Sequence, residues 1–343
     1  MKLDGGLITD LAAVPARVRD LEDLGYDGAV SVETNHDPFL PLALAAEHSA
    51  RVDLITSVAI ALARSPMTTA HTAYDLNVLS GGRMVLGLGS QIKPHIEKRF
   101  SMPWSPPAAR MREFITALRA IWTSWQTGER LSFRGDHYTL TLMTPFFSPG
   151  PSPAGLPRVF LGALGERMCE VAGEVADGVL LHPFSTDRYI RERALPAVER
   201  GLARAGRSRD GFEFCVNPFV ATGAGEDEVR QALGPVRQQI AFYGSTPAYR
   251  TVLELHGWGE TQDELNALSK RGRWAEMAEL ITPEMLGAFV VQAPYGGLAE
   301  ALGRRAAGVA DRIQFYAPWR EDRAAWRALL GDIRTAAGSG APA

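Results

Sequence analysis

The chain has 343 residues, of which 46% are hydrophobic, enough for one large α/β barrel or for two medium-sized domains. The formal net charge is -3, from 36 basic and 39 acidic residues, so no strong field attracts nucleic acid or an anionic membrane, and we expect neither as a partner. The two cysteines, Cys169 and Cys215, are too few for a disulfide framework or a zinc site, and we expect buried thiols in a cytoplasmic protein.

Short β-rich segments alternate with amphipathic helical segments along the chain. The first strand begins at residue 3, so we expect no secretory signal, and no apolar stretch approaches the ~20 residues that span a bilayer. Strands are predicted at residues 3–8, 28–32, 53–58, 84–89, 158–161, 178–182, 212–221 and 312–316. Helices are predicted at 13–24, 41–50, 66–80, 107–127, 166–175, 186–205 and 321–337, with a long interrupted helical region over 226–307.

This alternation of strand and helix requires a mostly parallel sheet covered by helices. Eight such units with insertions favour a closed (β/α)8 TIM barrel over a doubly wound open sheet. The sequence therefore predicts a single barrel domain over residues 1–337, with insertions at about 128–157 and 226–297. Residues 338–343 are expected to form a disordered tail.

The active face of such a barrel lies at the C-terminal ends of its strands. Gly162 and Gly165 follow the fifth strand and lead directly into a helix, where backbone N–H groups favour an anion, although a plain turn has the same sequence. After the second strand, residues 33–37 include carboxylates and His36, which suit an acid, a base or a hydrogen-bond partner. Asp37 followed by proline is also typical of a helix cap.

Other motifs narrow the possible chemistry. No histidine and carboxylate pair stands at metal-ligand spacing at a strand end, so we expect no metal. The sequence contains no nucleophile elbow, P-loop or dinucleotide fingerprint. Six aromatic residues fall in loops expected on the active face, where they would wall a pocket or form a cluster beneath a loop: Phe39, Phe100, Trp104, Phe146, Phe147 and Phe184.

One stretch around the fourth strand resembles a known family signature. Residues 79–90, with the sequence LSGGRMVLGLGS, resemble the "LSGGR…LGLG" pattern of the luciferase-like monooxygenase superfamily. Further matches lie at residues 25–28, 63–66 and 172–178, so the similarity runs over roughly residues 3–318. Residues 33–39, 87–95 and 237–247 resemble, more narrowly, a subgroup of coenzyme F420-dependent oxidoreductases.

The resemblance implies a (β/α)8 barrel, a homodimer, and coenzyme F420 as the cofactor, with FMN as the alternative. It also implies a non-prolyl cis peptide bond between Ser57 and Val58, at the end of the third strand, that backs the ring system of the cofactor. The other residues expected to bind the cofactor contact its ring, its side chain or its phosphate: Ala59, Ser90, Gln91, His95, Gly162, Ala163, Gly165 and His182.

One position departs from the family pattern. Many deazaflavin members have Asp-His after the second strand, whereas this chain has Glu33 and Thr34 there. We therefore predict Glu33 and His36 as the catalytic residues of a hydride transfer between the deazaflavin and a small, neutral organic substrate. The alternatives are an FMN-dependent monooxygenase, a non-catalytic flavin- or deazaflavin-binding protein, and a barrel that binds neither.

Overall fold

A closed barrel of parallel strands forms the centre of the protein. The computed structural model describes residues 1–7, 10–315 and 323–338. Strand 8 pairs with strand 1 and strand 3 pairs with strand 4, which closes the sheet and confirms the predicted fold class. In chain order, barrel strands 1 to 8 are Lys2–Gly6, Gly28–Ser31, Asp53–Thr56, Met84–Gly89, Arg158–Ala163, Gly178–Leu181, Glu213–Val216 and Arg312–Gln314.

Helices cover the outside of the barrel because each has one apolar face. The helix Val14–Leu24, for example, buries Val14, Val18 and Leu21 and ends at Gly25, whose φ of 93° favours glycine. The other helices are Leu40–His48, Pro66–Leu79, Lys93–Lys98, Pro107–Thr127, Glu166–Val175, Asp187–Tyr189, Leu195–Arg204, Glu226–Gly244, Arg250–Leu255, Gly259–Lys270, Trp274–Glu279, Pro283–Phe289, Tyr295–Ala306 and Arg323–Gly338, with a π-helical segment at Ile190–Ala194.

Two predicted strands are interrupted. The predicted strand 212–221 divides at Pro218, which has no N–H to donate, and its second part, Phe219–Ala221, pairs with Val290–Gln292 outside the barrel. The predicted strand 53–58 stops at Thr56, and pairing with strand 4 resumes at Ala59–Ile60. Parts of four predicted segments lie outside the described residues: residue 8 of the first strand, residue 316 of the last strand, residues 321–322 of the last helix and residues 339–343 of the tail.

The segment 128–157, predicted as an insertion, contains an antiparallel hairpin and then returns along the helix Pro107–Thr127. Trp125 donates to the sulfur of Met143, and Gln126 bonds the backbone of Ser152. Both contacts are made near the C-terminal end of that helix, which leads to the start of strand 5 and lies away from the active rim. The expectation that Phe146 and Phe147 are on the active face is therefore wrong.

Phe146 and Phe147 are instead 90% and 64% exposed. The sequence suggested otherwise because proline- and glycine-rich loops look alike at both ends of a barrel. The predicted insertion 226–297 is mainly helical, and its Tyr243 and Tyr249 reach the ring of His182 near the rim. The assignment of the whole chain to one domain remains a prediction.

Inward-facing side chains fill the barrel in layers, because alternate residues of each strand point inward. At the N-terminal end, the fully buried guanidinium of Arg312 contacts the carboxylates of Asp4, Asp53 and Glu213. Above this ionic layer lies an apolar layer, formed by Val30, Ile55, Val85, Phe160, Leu180 and Cys215. Since these layers close the interior from below, a ligand reaches it only from the C-terminal rim.

Candidate active site

The rim has an apolar floor made by Val58 and two glycines. A Cβ atom on Gly89 would lie 2.5 Å from Val58 Cγ2, and one on Gly162 would lie 2.9 Å from Val58 Cγ1. Both distances are shorter than ordinary contacts, so only glycine at these positions leaves room for Val58. Strands 4 and 5 thus present bare backbone beside the Val58 side chain, above the filled interior.

The end of strand 3 bends to bring Val58 onto this floor. The Ser57–Val58 peptide bond is cis. The hydroxyl of Thr56 donates to Gly87 O at 2.7 Å, and a Cβ on Gly87 would lie 1.8 Å from Thr56 O, so strands 3 and 4 approach closely only because residue 87 is glycine. Three of the predicted cofactor-binding residues, Ser57, Val58 and Ala59, therefore lie together at the rim beside Gly162.

The side chain of Glu33 is hydrogen-bonded to the backbone just beyond Val58. Its Oε2 accepts from Ile60 N–H and from Arg64 Nη1, both at 2.7 Å, and Arg64 also donates to Ile60 O at 3.1 Å. Only 7% of the Glu33 side chain is exposed. The carboxylate and its arginine partner therefore fix the short strand that directly follows the floor residue. The catalytic role of Glu33 remains a prediction, and Arg64, which lies in the family match at residues 63–66, was not among the predicted site residues.

The same loop also contains Asp37, which bonds the backbone at the start of a helix, and His36, which is exposed. Asp37 Oδ1 accepts from the backbone N–H groups of Phe39 and Leu40, at 2.8 and 3.1 Å, at the start of the helix Leu40–His48. Asp37 therefore closes the turn that leads into this helix, as one of the two interpretations of the sequence expected, while the N-cap position itself is Phe39. His36 is exposed on the same loop, and its catalytic role remains a prediction.

The loop after strand 4 contains Ser90 and Gln91 at the rim. Gln91 has a φ of 58°, and its Oε1 accepts from Ile92 N–H at 3.0 Å, while the hydroxyl of Ser90 donates to Gln91 O at 3.1 Å. These contacts shape a tight turn whose residues are half-buried. His95 is exposed on the helix Lys93–Lys98 that follows. None of these contacts tests the predicted cofactor binding.

The turn after strand 5 leads into the helix Glu166–Val175, with Gly165 at the cap position. Apart from its chain neighbours, no atom lies within 4 Å of where a Cβ on Gly165 would stand, so the space beside the start of this helix is open. Arg200 contacts the Glu166 carboxylate at 3.0 Å and so neutralises it. Ala163 is buried at the end of the strand. A helix N-terminus of this kind is suited to a phosphate group.

His182 follows strand 6, next to this turn. Its backbone N–H donates to Ala163 O at 2.9 Å, and its Nδ1 accepts from Phe184 N–H at 3.1 Å. Burial lowers the pKa of His182 to about 3, so the ring is neutral at physiological pH. Because Nδ1 is the acceptor, Nε2 carries the proton and is a hydrogen-bond donor. The rings of Tyr243 and Tyr249 lie 4.7 and 4.6 Å away, between ring centroids.

This histidine is expected to make the protein less stable in acid. A histidine in the unfolded chain has a pKa near 6.5, so between about pH 3 and 6.5 the unfolded state binds one more proton than the folded state. The free energy of unfolding then falls as the pH falls, by up to ~1.4 kcal/mol per pH unit. Urea unfolding from pH 7.5 to pH 5 measures this slope, which His182→Phe should flatten.

Tyr249→Phe is the matched control for that measurement. It changes the same aromatic contact, but burial raises the pKa of Tyr249 to about 12, so the phenol does not titrate in this range. The slope should stay as in the unaltered protein. An equal slope in the His182→Phe protein would contradict the assignment of the acid sensitivity to His182.

Two general findings concern metal binding and membrane crossing. In residues 1–7, 10–315 and 323–338, no group of three or more histidine, cysteine, aspartate or glutamate side chains is placed to hold a metal ion. Within the same residues, no helix combines the length and the apolar character that crossing a membrane requires.

The sequence matches the family model "Luciferase-like monooxygenase" over residues 2–325. The chain therefore belongs to the luciferase-like monooxygenase family. The structure of this chain combines a closed barrel, an apolar floor at the rim and open space at the start of the helix after strand 5. The resemblance inferred from the sequence motifs is confirmed.

Among individual relatives, the chain is 54% identical over 313 residues to "Uncharacterized protein Rv1360" of Mycobacterium tuberculosis, covering 91% of this chain and 92% of the relative. It is 31% identical over 288 residues to "Putative coenzyme F420-dependent oxidoreductase Rv3520c" of the same organism, covering 79% and 80%. The solved coenzyme F420-dependent tetrahydromethanopterin reductase from Methanopyrus kandleri has a TM-score of 0.75, with 20% identity and 96% coverage of both chains, which indicates a shared fold.

Proposed function

We propose that this protein is a coenzyme F420-dependent oxidoreductase that transfers a hydride between the deazaflavin and a small organic substrate. One observation carries the proposal: the apolar floor at Val58, Gly89 and Gly162 is followed, three residues after Gly162, by Gly165, which caps a helix and has open space beside it. A flat ring system and a phosphate linked to it need these two surfaces side by side. The relative described as a putative F420-dependent oxidoreductase supports the same assignment.

The residues present fit the groups of such a cofactor. Val58 and the bare backbone of the two floor glycines would support the ring, and the N–H groups after Gly165 would hold a phosphate. The neutral Nε2–H of His182 would donate to an oxygen of the bound ligand. When bound, the deazaflavin supplies a ring carbon that accepts or donates a hydride, with no one-electron chemistry.

The remaining roles belong to the substrate and the assembly. Glu33 and His36 would orient the substrate or move its proton, and Ser90, Gln91 and His95 would contact the cofactor chain. We also propose that the protein acts on a small molecule as a homodimer, as the family resemblance implies.

Titration of the protein with F420 and with FMN tests the cofactor assignment. Binding is followed by the fluorescence of each cofactor, and we expect the dissociation constant for F420 to be at least about tenfold lower, or ~1.4 kcal/mol. Tighter binding of FMN would indicate an FMN-dependent monooxygenase instead. Binding of F420 without conversion of any compound in a broad panel of alcohols, ketones and enones would indicate a non-catalytic binding protein.

A pair of glycine variants locates the binding site in the same assay. Gly165→Val adds a side chain in the open space at the helix N-terminus, and we expect it to abolish tight binding without lowering the melting temperature. Gly225→Val is the matched control, because Gly225 also precedes a helix and has no atom within 4 Å of a Cβ position. Equal affinity of both variants for F420 would contradict the proposed phosphate site.

A further inference from the structure

Asn217 extends the inner face of strand 7 to the rim. Two earlier residues on that face point into the barrel: Glu213 contacts Arg312 in the ionic layer, and Cys215 belongs to the apolar layer above it. Alternation along the strand places Asn217 on the same face, one layer higher. Because Cys215 pairs with Leu180, continuing this register by two residues brings Asn217 level with His182, just beyond the ends of the two neighbouring strands.

The side-chain oxygen of Asn217 has no hydrogen-bond partner among the described residues. Its Oδ1 is buried and accepts no hydrogen bond from any described residue. Buried polar atoms are almost always hydrogen-bonded, so an unpaired carbonyl oxygen at the rim requires an explanation. A donor supplied by a bound ligand would satisfy this oxygen, and the rim is the open end of the barrel.

The groups beside Asn217 define the ligand chemistry. His182 offers an Nε2–H donor, so neighbouring strands present one acceptor and one donor side by side. Both groups are neutral, and a carboxylate or phosphate would be repelled by the Asn217 oxygen. The matching ligand carries a neutral acceptor next to a neutral donor.

The rim floor, His182 and Asn217 lie next to one another across the rim. Gly162 pairs with Leu180, which in turn pairs with Cys215, and His182 and Asn217 lie two residues beyond those two partners, toward the rim. Two interstrand spacings cover roughly 10 Å, about the width of three fused rings. A ring that rests on Val58 and Gly162 therefore extends toward the two side chains.

We propose that Asn217 is a further cofactor-binding residue, whose Oδ1 accepts a hydrogen bond from an N–H or O–H group on the edge of the bound deazaflavin ring. The inference rests on the proposed function. The deazaflavin ring has two such donors, its imide N–H and its ring hydroxyl. The imide N–H has a carbonyl oxygen on each side that can accept from His182 Nε2–H, whereas at the hydroxyl the same oxygen would donate its hydrogen to Asn217 and accept from His182.

The test measures dissociation constants for three probes by fluorescence. The probes are 8-hydroxy-5-deazariboflavin, its N3-methyl derivative and its O8-methyl derivative. We expect Asn217→Leu, which removes the amide at similar volume, to weaken binding of the parent compound about tenfold. For one methylated derivative, the dissociation constant should be the same in the variant as in the unaltered protein, because the methyl group and the substitution remove the same hydrogen bond. The position of that methyl group identifies the donor.

The stability of the ligand-free protein gives an independent readout. Removing a buried, unpaired oxygen should leave the melting temperature unchanged or raised, whereas a purely structural asparagine would lower it when replaced. Asn217→Ala repeats the test with a smaller side chain. Asn77→Leu is the matched control, because Asn77 also has a buried, unpaired Oδ1 but lies on the helix Pro66–Leu79 and donates to Gly155 O.

We expect Asn77→Leu to lower the melting temperature and to leave all three dissociation constants unchanged. Asn217 variants that bind the three probes as the unaltered protein does, or that weaken all three equally, would overturn the inference while the proposed function stands. Failure of the unaltered protein to bind any deazaflavin would overturn the proposed function and this inference with it.

Discussion

Replacing Arg312 with methionine is expected to lower the free energy of unfolding by about 3–5 kcal/mol. The guanidinium is completely buried and contacts three carboxylates at the N-terminal end of the barrel. Lys2 and Arg158 also contact Glu213 and Asp53, so they partly compensate those two acids. Asp4 is the most affected, because burial raises the pKa of its carboxyl to about 7 even with Arg312 beside it.

The pH dependence of this loss follows from Asp4. Without the guanidinium, burial of the Asp4 carboxyl costs less when the group is protonated than when it is ionised. The loss of unfolding free energy should therefore be larger at pH 8 than at pH 5. Urea unfolding at both pH values measures it. Arg304→Met removes an exposed ion pair with Glu300 and should cost no more than about 1 kcal/mol. Equal losses for the two variants would contradict the structural role assigned to the ionic layer.

The barrel itself was predictable because its signal is repeated and local. Each strand is a short apolar run between a turn and a helix, and Gly28, Gly87 and Gly162 mark places where only backbone fits. The rim could be located for the same reason, since every strand end is followed by a loop on one side of the barrel. The order of these signals along the chain therefore specifies both the fold and the active end.

The contacts that complete the site were not predictable, because they join residues far apart in sequence. Glu33 reaches Ile60 and Arg64, which are 27 and 31 positions away, and the bend after Thr56 decides where those groups lie. Asn217 does not stand out in the sequence, because it falls within the predicted strand 212–221 rather than after its end, where rim residues are expected; strand 7 in fact ends at Val216. The ionic layer joins Asp53 to Arg312, 259 positions apart, and no local pattern marks that pair.

Replacing Glu33 with alanine is expected to weaken F420 binding at least about tenfold and to lower the free energy of unfolding by about 1–3 kcal/mol. Two donors, Ile60 N–H and Arg64 Nη1, share the Oε2 atom of Glu33 and would lose their acceptor. The short strand at Ile60 would then be free to shift, and Val58 with it. Fluorescence titration and urea unfolding measure the two effects.

Glu22→Ala separates this local effect from general destabilisation. The Glu22 carboxylate accepts from the backbone N–H groups of Ala50 and Val52, each at 3.0 Å, and so holds the start of strand 3 as Glu33 holds the segment after its end. Since the start of the strand lies at the opposite end of the barrel, Glu22→Ala should lower stability similarly and leave F420 binding unchanged. Equal loss of binding in both variants would show that the floor responds to any weakening of the strand.

Glu33→Gln then distinguishes positioning from proton transfer. The amide oxygen can still accept from Ile60 N–H, so we expect the dissociation constant for F420 to stay within about threefold. Turnover of any compound that the unaltered protein converts should fall much further, because an amide cannot exchange a proton as a carboxyl group does. Full turnover in the glutamine variant would remove Glu33 from the chemistry and leave it as the residue that, with Arg64, holds the rim floor in place.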